Sequence, residues 1–138
     1  MLPTFFRLMK VIDLSVAINE ETPVYPGDPV TKIEPSGVLK KDGYEDHYIS
    51  MGTHVGTHVD APRHMIEGAE GLDKISVEKF SGRGVYIKTG KNFELEIIKR
   101  ASIQEGDIVL LHTGMSEAYH EADYYENYPA LTDDIANY

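Results

Sequence analysis

The sequence predicts a mixed α/β fold in which short strands outnumber helices. Segments rich in β-branched and apolar residues recur along the chain, whereas helical spacing is found in few places and over short lengths. Gly- and Pro-containing turn signals separate these segments, and the sequence contains no internal repeat. With 138 residues, of which 41% are hydrophobic, the chain has the size and apolar content of one small domain.

The first half of the chain predicts three strands separated by loops. Residues 9–15 are expected to form the opening strand of the domain, which would span residues 9–138, and residues 1–8 are interpreted as an N-terminal extension. Three prolines and a glycine predict an ordered loop at residues 22–29. Two further strands are expected at residues 31–40 and 44–51.

The second half mixes strand and helix signals. A short helical turn is expected at residues 76–80, and apolar residues at helical spacing predict a helix at residues 92–101. Strands are expected at residues 85–89 and 107–112, the second of which is an apolar run typical of a buried strand. The tyrosine-rich stretch 116–128 fits either a helix or a solvated loop.

Composition argues against several classes of partner. The net charge of −10 would repel nucleic acid and anionic membrane surfaces. No apolar run approaches the roughly 20 residues of a membrane span, and the first ten residues lack the pattern of a signal peptide. The absence of cysteine excludes disulfides. We therefore expect a cytoplasmic protein that acts on a small molecule.

Residues 52–64, which read GTHVGTHVDAPRH, carry the strongest functional signal of the sequence. Three of the six histidines lie in this run together with Asp60. Imidazole nitrogens and carboxylate oxygens are natural ligands of zinc and similar ions, and a catalytic metal typically takes three protein ligands. His54, His58 and Asp60 could supply these three, which leaves His64 to move protons.

The backbone of this run is expected to be irregular. Four residues of regular strand span roughly 13 Å, too far for His54 and His58 to share one ion, and β-branched neighbours and glycines oppose a helix. We therefore expect a bulge or a single helical turn centred on Gly56, followed by an extended piece that points His58 and Asp60 to the same side. Gly56 would let the backbone approach the ion or the substrate. An ordinary polar turn and a structural metal site remain open as alternatives.

This run resembles the defining motif of the cyclase family of metal-dependent hydrolases, His-x-Gly-Thr-His-x-Asp-x-Pro-x-His, at every fixed position. Three flanking segments are also similar to the family. Residues 13–15 resemble its opening strand, residues 22–29 resemble its Pro-Gly-Asp loop, and residues 107–114 resemble a later core strand. The resemblance runs from about residue 9 to the end of the chain.

The resemblance implies a fold, an activity and a ligand set. The implied fold is a compact, β-rich swivelling β/β/α arrangement that assembles as a homodimer or homotetramer. The best-known members are bacterial kynurenine formamidases, which hydrolyse N-formylkynurenine in tryptophan catabolism, and isatin hydrolases are relatives. By motif position, His54, His58 and Asp60 would bind the metal, and His64 would be the proton donor and acceptor. Tyr25 takes the place of a tryptophan that contacts substrate.

The expected reaction is the metal-dependent hydrolysis of a small amide such as an aryl formamide. The ion, Zn²⁺ first and Mn²⁺ as the alternative, would lower the pKa of a bound water from about 15.7 towards 7. Histidine side chains, whose unperturbed pKa is near 6.5, suit proton transfer at neutral pH, and His64 would pass a proton to the leaving amine. Two alternatives stay open: a metal-dependent cyclase or lyase, and a metal- or small-molecule-binding module without turnover. Arg63 is a weaker candidate, for orienting an anionic substrate.

The C-terminal residues predict that the domain is incomplete at its C-terminus. Thr132 is suited to cap a helix, and Asp133 and Asp134 favour its first turn. A helix of about six residues does not offset its nucleation cost. The resemblance agrees, because family members continue with residues that supply a further histidine and a glutamate to the metals.

Overall fold

The computed structural model describes residues 10–138. This part of the chain forms two compact units, a first that ends at Val59 and a second that runs from Asp60 to Tyr138. The expected boundary between residues 8 and 9 lies outside the described residues. In the described range, no helix is long and apolar enough to cross a membrane.

All regular elements of the described chain are short. The strands are β1 (Lys32–Gly37), β2 (Asp46–Ser50), β3 (Gly84–Lys88) and β4 (Ile108–His112). The α-helices are α1 (Leu39–Asp42), α2 (Leu95–Lys99) and α3 (Asp133–Ala136). Turns of 3-10 helix are found at Pro62–His64, Leu72–Lys74, Val77–Phe80 and Met115–Ala118.

The first unit is built on an antiparallel hairpin of β1 and β2. Lys32 lies opposite Ser50, and the register shifts between Pro35 and Gly37. The ring of Tyr44 occupies the space that a Cβ at Gly37 would need. The register shift therefore ends at a position that must be glycine, because only a residue without a Cβ leaves room for the ring.

The second unit contains a parallel pair, β3 and β4, with α2 between them in the sequence. Because parallel strands need a crossover connection, this order is a βαβ unit. Val85 and Ile87 are buried on one face of β3, where alternate residues point to the same side, and Ile98 of α2 packs on them. Partly buried apolar side chains surround this core: Ile97, Ala101, Ile103, Leu111 and Ile135.

Most predicted elements are confirmed with shifted ends. Strands are found within or next to the predicted ranges 31–40, 44–51, 85–89 and 107–112, and the predicted helix at residues 92–101 is shorter than expected. The short helical turn expected at residues 76–80 is also present, as a 3-10 turn.

The opening strand predicted at residues 9–15 is wrong for the described residues, since no strand is assigned in residues 10–18. The carboxylate of Asp13 accepts hydrogen bonds from the backbone N–H of Ser15 at 2.9 Å and from its hydroxyl at 2.6 Å. These local bonds also lower the pKa of the Asp13 carboxyl. Such side-chain bonds compete with a strand ladder for the backbone donors, and here they engage the N–H of Ser15.

The tyrosine-rich stretch is a series of turns and not a regular helix. After the 3-10 turn at Met115–Ala118, aromatic rings contact one another edge to face. The ring centroids of Tyr119 and Tyr124 lie 5.5 Å apart, and those of Tyr124 and Tyr125 lie 4.9 Å apart. Of the two alternatives left open by the sequence, the loop is therefore correct.

Thr132 precedes α3, as its cap-forming side chain predicts, but it does not cap the backbone. Its hydroxyl instead donates a hydrogen bond to the carboxylate of Asp134. This bond is the main cause of the lowered pKa of Asp134. Thr132 therefore stabilises the first turn of α3 through the side chain of Asp134 and not through the backbone.

Candidate metal centre

The histidine run bends through residues 53–57 and continues without regular structure to residue 61. Two contacts hold the bend within the first unit. The side chain of Val55 is only 2% exposed, and the Thr57 hydroxyl accepts a hydrogen bond of 3.0 Å from the backbone N–H of Val16. The sequence did not assign a role to Thr57, although it is a fixed position of the motif.

Gly56 is the turning point of the bend. Its φ of +63° lies in the left-handed region, which glycine adopts without strain. A Cβ at this position would stand 3.3 Å from side-chain carbons of Val16 and Ile18. The irregular backbone expected around Gly56 is present, as a bend and not as a helical turn. The close approach that Gly56 allows is to these two side chains.

The bend brings His54, His58 and Asp60 together. One ligand atom from each side chain lies within 4.8 Å of those of the other two, so that the group could hold a metal ion. Ligands of a tetrahedral zinc ion stand about 3.4 Å apart, given metal–ligand distances of about 2.0–2.2 Å. A small side-chain rotation would therefore close the group around an ion. His54 is half-buried, whereas His58 and Asp60 are exposed, so water and small molecules can reach the group.

A local hydrogen bond determines which nitrogen His58 can offer to a metal. Its Nδ1 atom lies 2.9 Å from the carbonyl oxygen of Gly56. Because a carbonyl oxygen only accepts, Nδ1 must carry the proton and donate it. The lone pair of the neutral ring then resides on Nε2. A bond from the second ring nitrogen to a backbone carbonyl is the usual arrangement of metal-binding histidines. The ring of His58 meets that of His54 edge to face, with centroids 5.2 Å apart.

The other predicted site residues lie outside this group of three. His64 ends the 3-10 turn that begins at Pro62, and its backbone N–H donates to the Ala61 carbonyl at 2.9 Å. Tyr25 is 51% exposed, and its carbonyl accepts from the N–H of Asp28 at 2.9 Å in the proline-rich loop. The roles predicted for His64 and Tyr25 stay predictions.

Arg63 was expected to orient an anionic substrate. In the structure, its Nε–H donates a hydrogen bond of 3.1 Å to the carbonyl oxygen of Ala69. The guanidinium is therefore engaged with the backbone of its own loop.

The Cyclase family model matches residues 12–138 of this chain. The chain belongs to the Cyclase family. This match covers the bend, the βαβ unit and the C-terminal turns, and it confirms the family that the histidine motif indicates.

Two curated relatives show how far the similarity extends. An uncharacterized protein of Methanocaldococcus jannaschii is 32% identical over 130 residues, which cover 92% of this chain and 62% of the relative. A kynurenine formamidase of Geobacillus thermodenitrificans is 26% identical over 106 residues, which cover 75% of this chain and 51% of the relative. The chain thus spans between half and two thirds of the length of these relatives.

A solved structure shows the same fold. The crystal structure of an isatin hydrolase bound to the product analogue thioisatinate matches 92% of this chain and 61% of its own chain, with a TM-score of 0.77 and 19% sequence identity. The predicted mixed α/β, cyclase-like fold class is therefore confirmed.

Proposed function

We propose that this chain is the metal-binding part of a hydrolase that cleaves a small amide, with an aryl formamide such as N-formylkynurenine as the first substrate to test. The convergence of two imidazoles and one carboxylate at the bend carries this proposal. The similarity to a kynurenine formamidase and the fold shared with an isatin hydrolase support it. The chain spans between half and two thirds of the length of these relatives, so the activity of the whole protein is itself part of the proposal.

The donor set fits a divalent metal, with His54, His58 and Asp60 as ligands. Two nitrogens and one oxygen suit zinc, and manganese is the alternative. When bound, such an ion acidifies a water molecule and polarises a carbonyl oxygen. The protein contributes the hydrogen bond from His58 to the Gly56 carbonyl, which directs Nε2 of that ring to the ligand position.

The remaining predicted residues would act on the substrate. Hydrolysis joins the oxygen of water to the carbonyl carbon and breaks the carbon–nitrogen bond, so that an acid and an amine are released. A ring nitrogen of His64 would accept a proton from the water and deliver one to the departing amine nitrogen. The exposed ring of Tyr25 would stack on an aromatic substrate.

The metal assignment is tested by metal content after dialysis against trace zinc. We expect about one ion per chain in the wild type and a large loss in His58→Ala, because two ligands alone hold zinc weakly. His47→Ala is the matched control, since His47 is an exposed histidine on β2, outside the group. Equal zinc in wild type and His58→Ala would contradict the assignment.

The reaction is tested with a panel of aryl formamides, lactones and cyclic imides. We expect formamide hydrolysis by the zinc-loaded protein, and a loss of about a hundredfold or more in kcat in His64→Ala with the metal retained. Turnover of lactones or imides alone would favour a cyclase or lyase. Zinc binding without any turnover would indicate a binding module.

Assembly as a homodimer or homotetramer is part of the same proposal, and it rests on the family resemblance. Light scattering of the purified protein would measure the number of chains in the particle.

A further inference from the structure

The loop that follows His64 is closed by Arg63. The backbone N–H of Arg63 donates to the carbonyl of Glu70 at 3.2 Å, and its side-chain Nε–H donates to the carbonyl of Ala69 at 3.1 Å. One residue thus contacts two consecutive carbonyls at the far end of the loop. Both bonds lie within the second unit.

Further contacts make the closed loop compact. The N–H of Ile66 donates to the Pro62 carbonyl at 3.0 Å, and the N–H of Ala69 donates to the Ile66 carbonyl at 3.2 Å. A Cβ at Gly71 would stand 3.3 Å from Nη1 of Arg63. The guanidinium group of Arg63 therefore lies against the backbone of Gly71, where the end of the loop approaches its start.

Apolar packing contributes little to this loop. Met65 is 83% exposed and Ile66 is 60% exposed. Hydrogen bonds must therefore hold its shape, and the Arg63 side chain supplies one of the two that join the start of the loop to its end, beside the bond from its own backbone N–H. His64 directly follows this arginine and lies at the start of the loop that the arginine closes.

We propose that Arg63 is a positioning residue for His64. It closes the loop over residues 63–71 and thereby holds the His64 backbone in one orientation. This inference rests on the proposed role of His64 in proton transfer. It assigns Arg63 to the loop backbone, in place of the anionic substrate expected from the sequence.

The closure is measured by amide hydrogen exchange of residues 63–71 in the zinc-loaded protein. In Arg63→Ala, we expect the amides of Ile66 and Ala69 to exchange about fivefold faster, the effect of losing one exposed hydrogen bond. Arg63→Lys should restore part of the protection, because it keeps a donor and the charge. Arg100→Ala is the control, since Arg100 is an exposed arginine of the same unit with no side-chain hydrogen bond among the described residues.

The positioning role is measured by kinetics and by the NMR signal of the His64 ring. In Arg63→Ala, we expect kcat to fall about tenfold with KM and zinc content unchanged, because misplaced catalytic groups lower the rate and not the binding. The His64 ring signal should shift or broaden. Arg63→Lys should recover part of both effects.

Three outcomes separate the two proposals. Unchanged exchange of residues 63–71 in Arg63→Ala would overturn the closure. Faster exchange with an unchanged kcat and an unchanged His64 signal would overturn the positioning role. If the wild type hydrolyses no amide, the proposed function fails, and the exchange and NMR measurements then decide the positioning role by themselves.

Discussion

Arg83 binds Asp107 through both ends of its guanidinium group. Nη2 lies 2.5 Å from Oδ2, and Nε lies 2.9 Å from Oδ1. The backbone N–H of Gln104 donates to the same carboxylate at 2.8 Å. These donors hold the pKa of Asp107 below its usual value of 3.8, with the Arg83 hydrogen bond as the largest cause. Since Arg83 precedes β3 and Asp107 precedes β4, the pair joins the starts of the two parallel strands.

Loss of this pair should destabilise the second unit in a pH-dependent way. Asp107→Asn should lower the urea midpoint at neutral pH. The stabilisation by an aspartate with a lowered pKa is complete above its unfolded pKa, and it disappears as the pH falls through the folded pKa. The difference between wild type and Asp107→Asn should therefore shrink as the pH falls below about 3.9, the pKa of an aspartate in the unfolded chain. Urea titrations of both proteins at neutral pH and at acidic pH measure the difference between their midpoints.

The control for that experiment is Glu96→Gln. Glu96 pairs with Lys99 at 3.1 Å on the exposed surface of α2, and such pairs contribute little to stability. Equal shifts in Glu96→Gln and Asp107→Asn would show that general charge effects, and not the paired geometry, are responsible.

Gly56→Ala should destabilise the bend by about 1–2 kcal/mol, because a left-handed φ strains any residue with a Cβ. The added carbon would also crowd Val16 and Ile18. Thermal unfolding measures the stability of the variant, and zinc titration measures its affinity for the ion. We expect both to fall. Gly52→Ala is the control, since its Cβ would meet only an ordinary contact of 3.8 Å with Val55. Similar losses in both variants would exclude the left-handed turn as the cause.

Zinc should raise the melting temperature of the protein. A ligand at a hundred times its Kd stabilises the folded state by about 2.7 kcal/mol. Calorimetry with and without zinc should show this increase in the wild type and in His47→Ala, and a much smaller one in Asp60→Asn, which weakens the donor group. A full zinc effect in Asp60→Asn would remove Asp60 from the ligand set.

Tyr25 should contribute to the binding of aromatic substrates through its ring. Tyr25→Phe keeps the stacking surface, so KM for an aryl formamide should change little, whereas Tyr25→Ala should raise KM by about tenfold. The same variants assayed on formamide itself provide the control, since it has no ring to stack. Equal effects on both substrates would point to a structural role of the proline-rich loop.

The sequence predicted those features that depend on local patterns. Strands such as β3 and β4 combine apolar alternation with flanking glycines, and the donor group lies on one short segment with a specific motif. The opening strand at residues 9–15 was wrong because a strand also needs a partner along its edge. Periodicity does not reveal that partner, nor the local bonds of Asp13 that replace it.

Features that depend on contacts between distant residues were not predictable. The hydrogen bond from Val16 to Thr57 joins residues that are 41 positions apart. The role of Arg63 depends on how its loop returns to Ala69, and an arginine in a sequence does not indicate whether it faces a ligand or a carbonyl.

The bond between Val16 and Thr57 has a consequence for metal binding. Thr57 lies between two of the proposed ligands, and its hydroxyl is held by a segment that contains no ligand. By thermodynamic linkage, whatever favours the docked segment strengthens ion binding, and the ion in turn favours docking by the same free energy. Zinc should thus slow proteolysis near Val16, and cleavage there should weaken zinc binding although every ligand is still present.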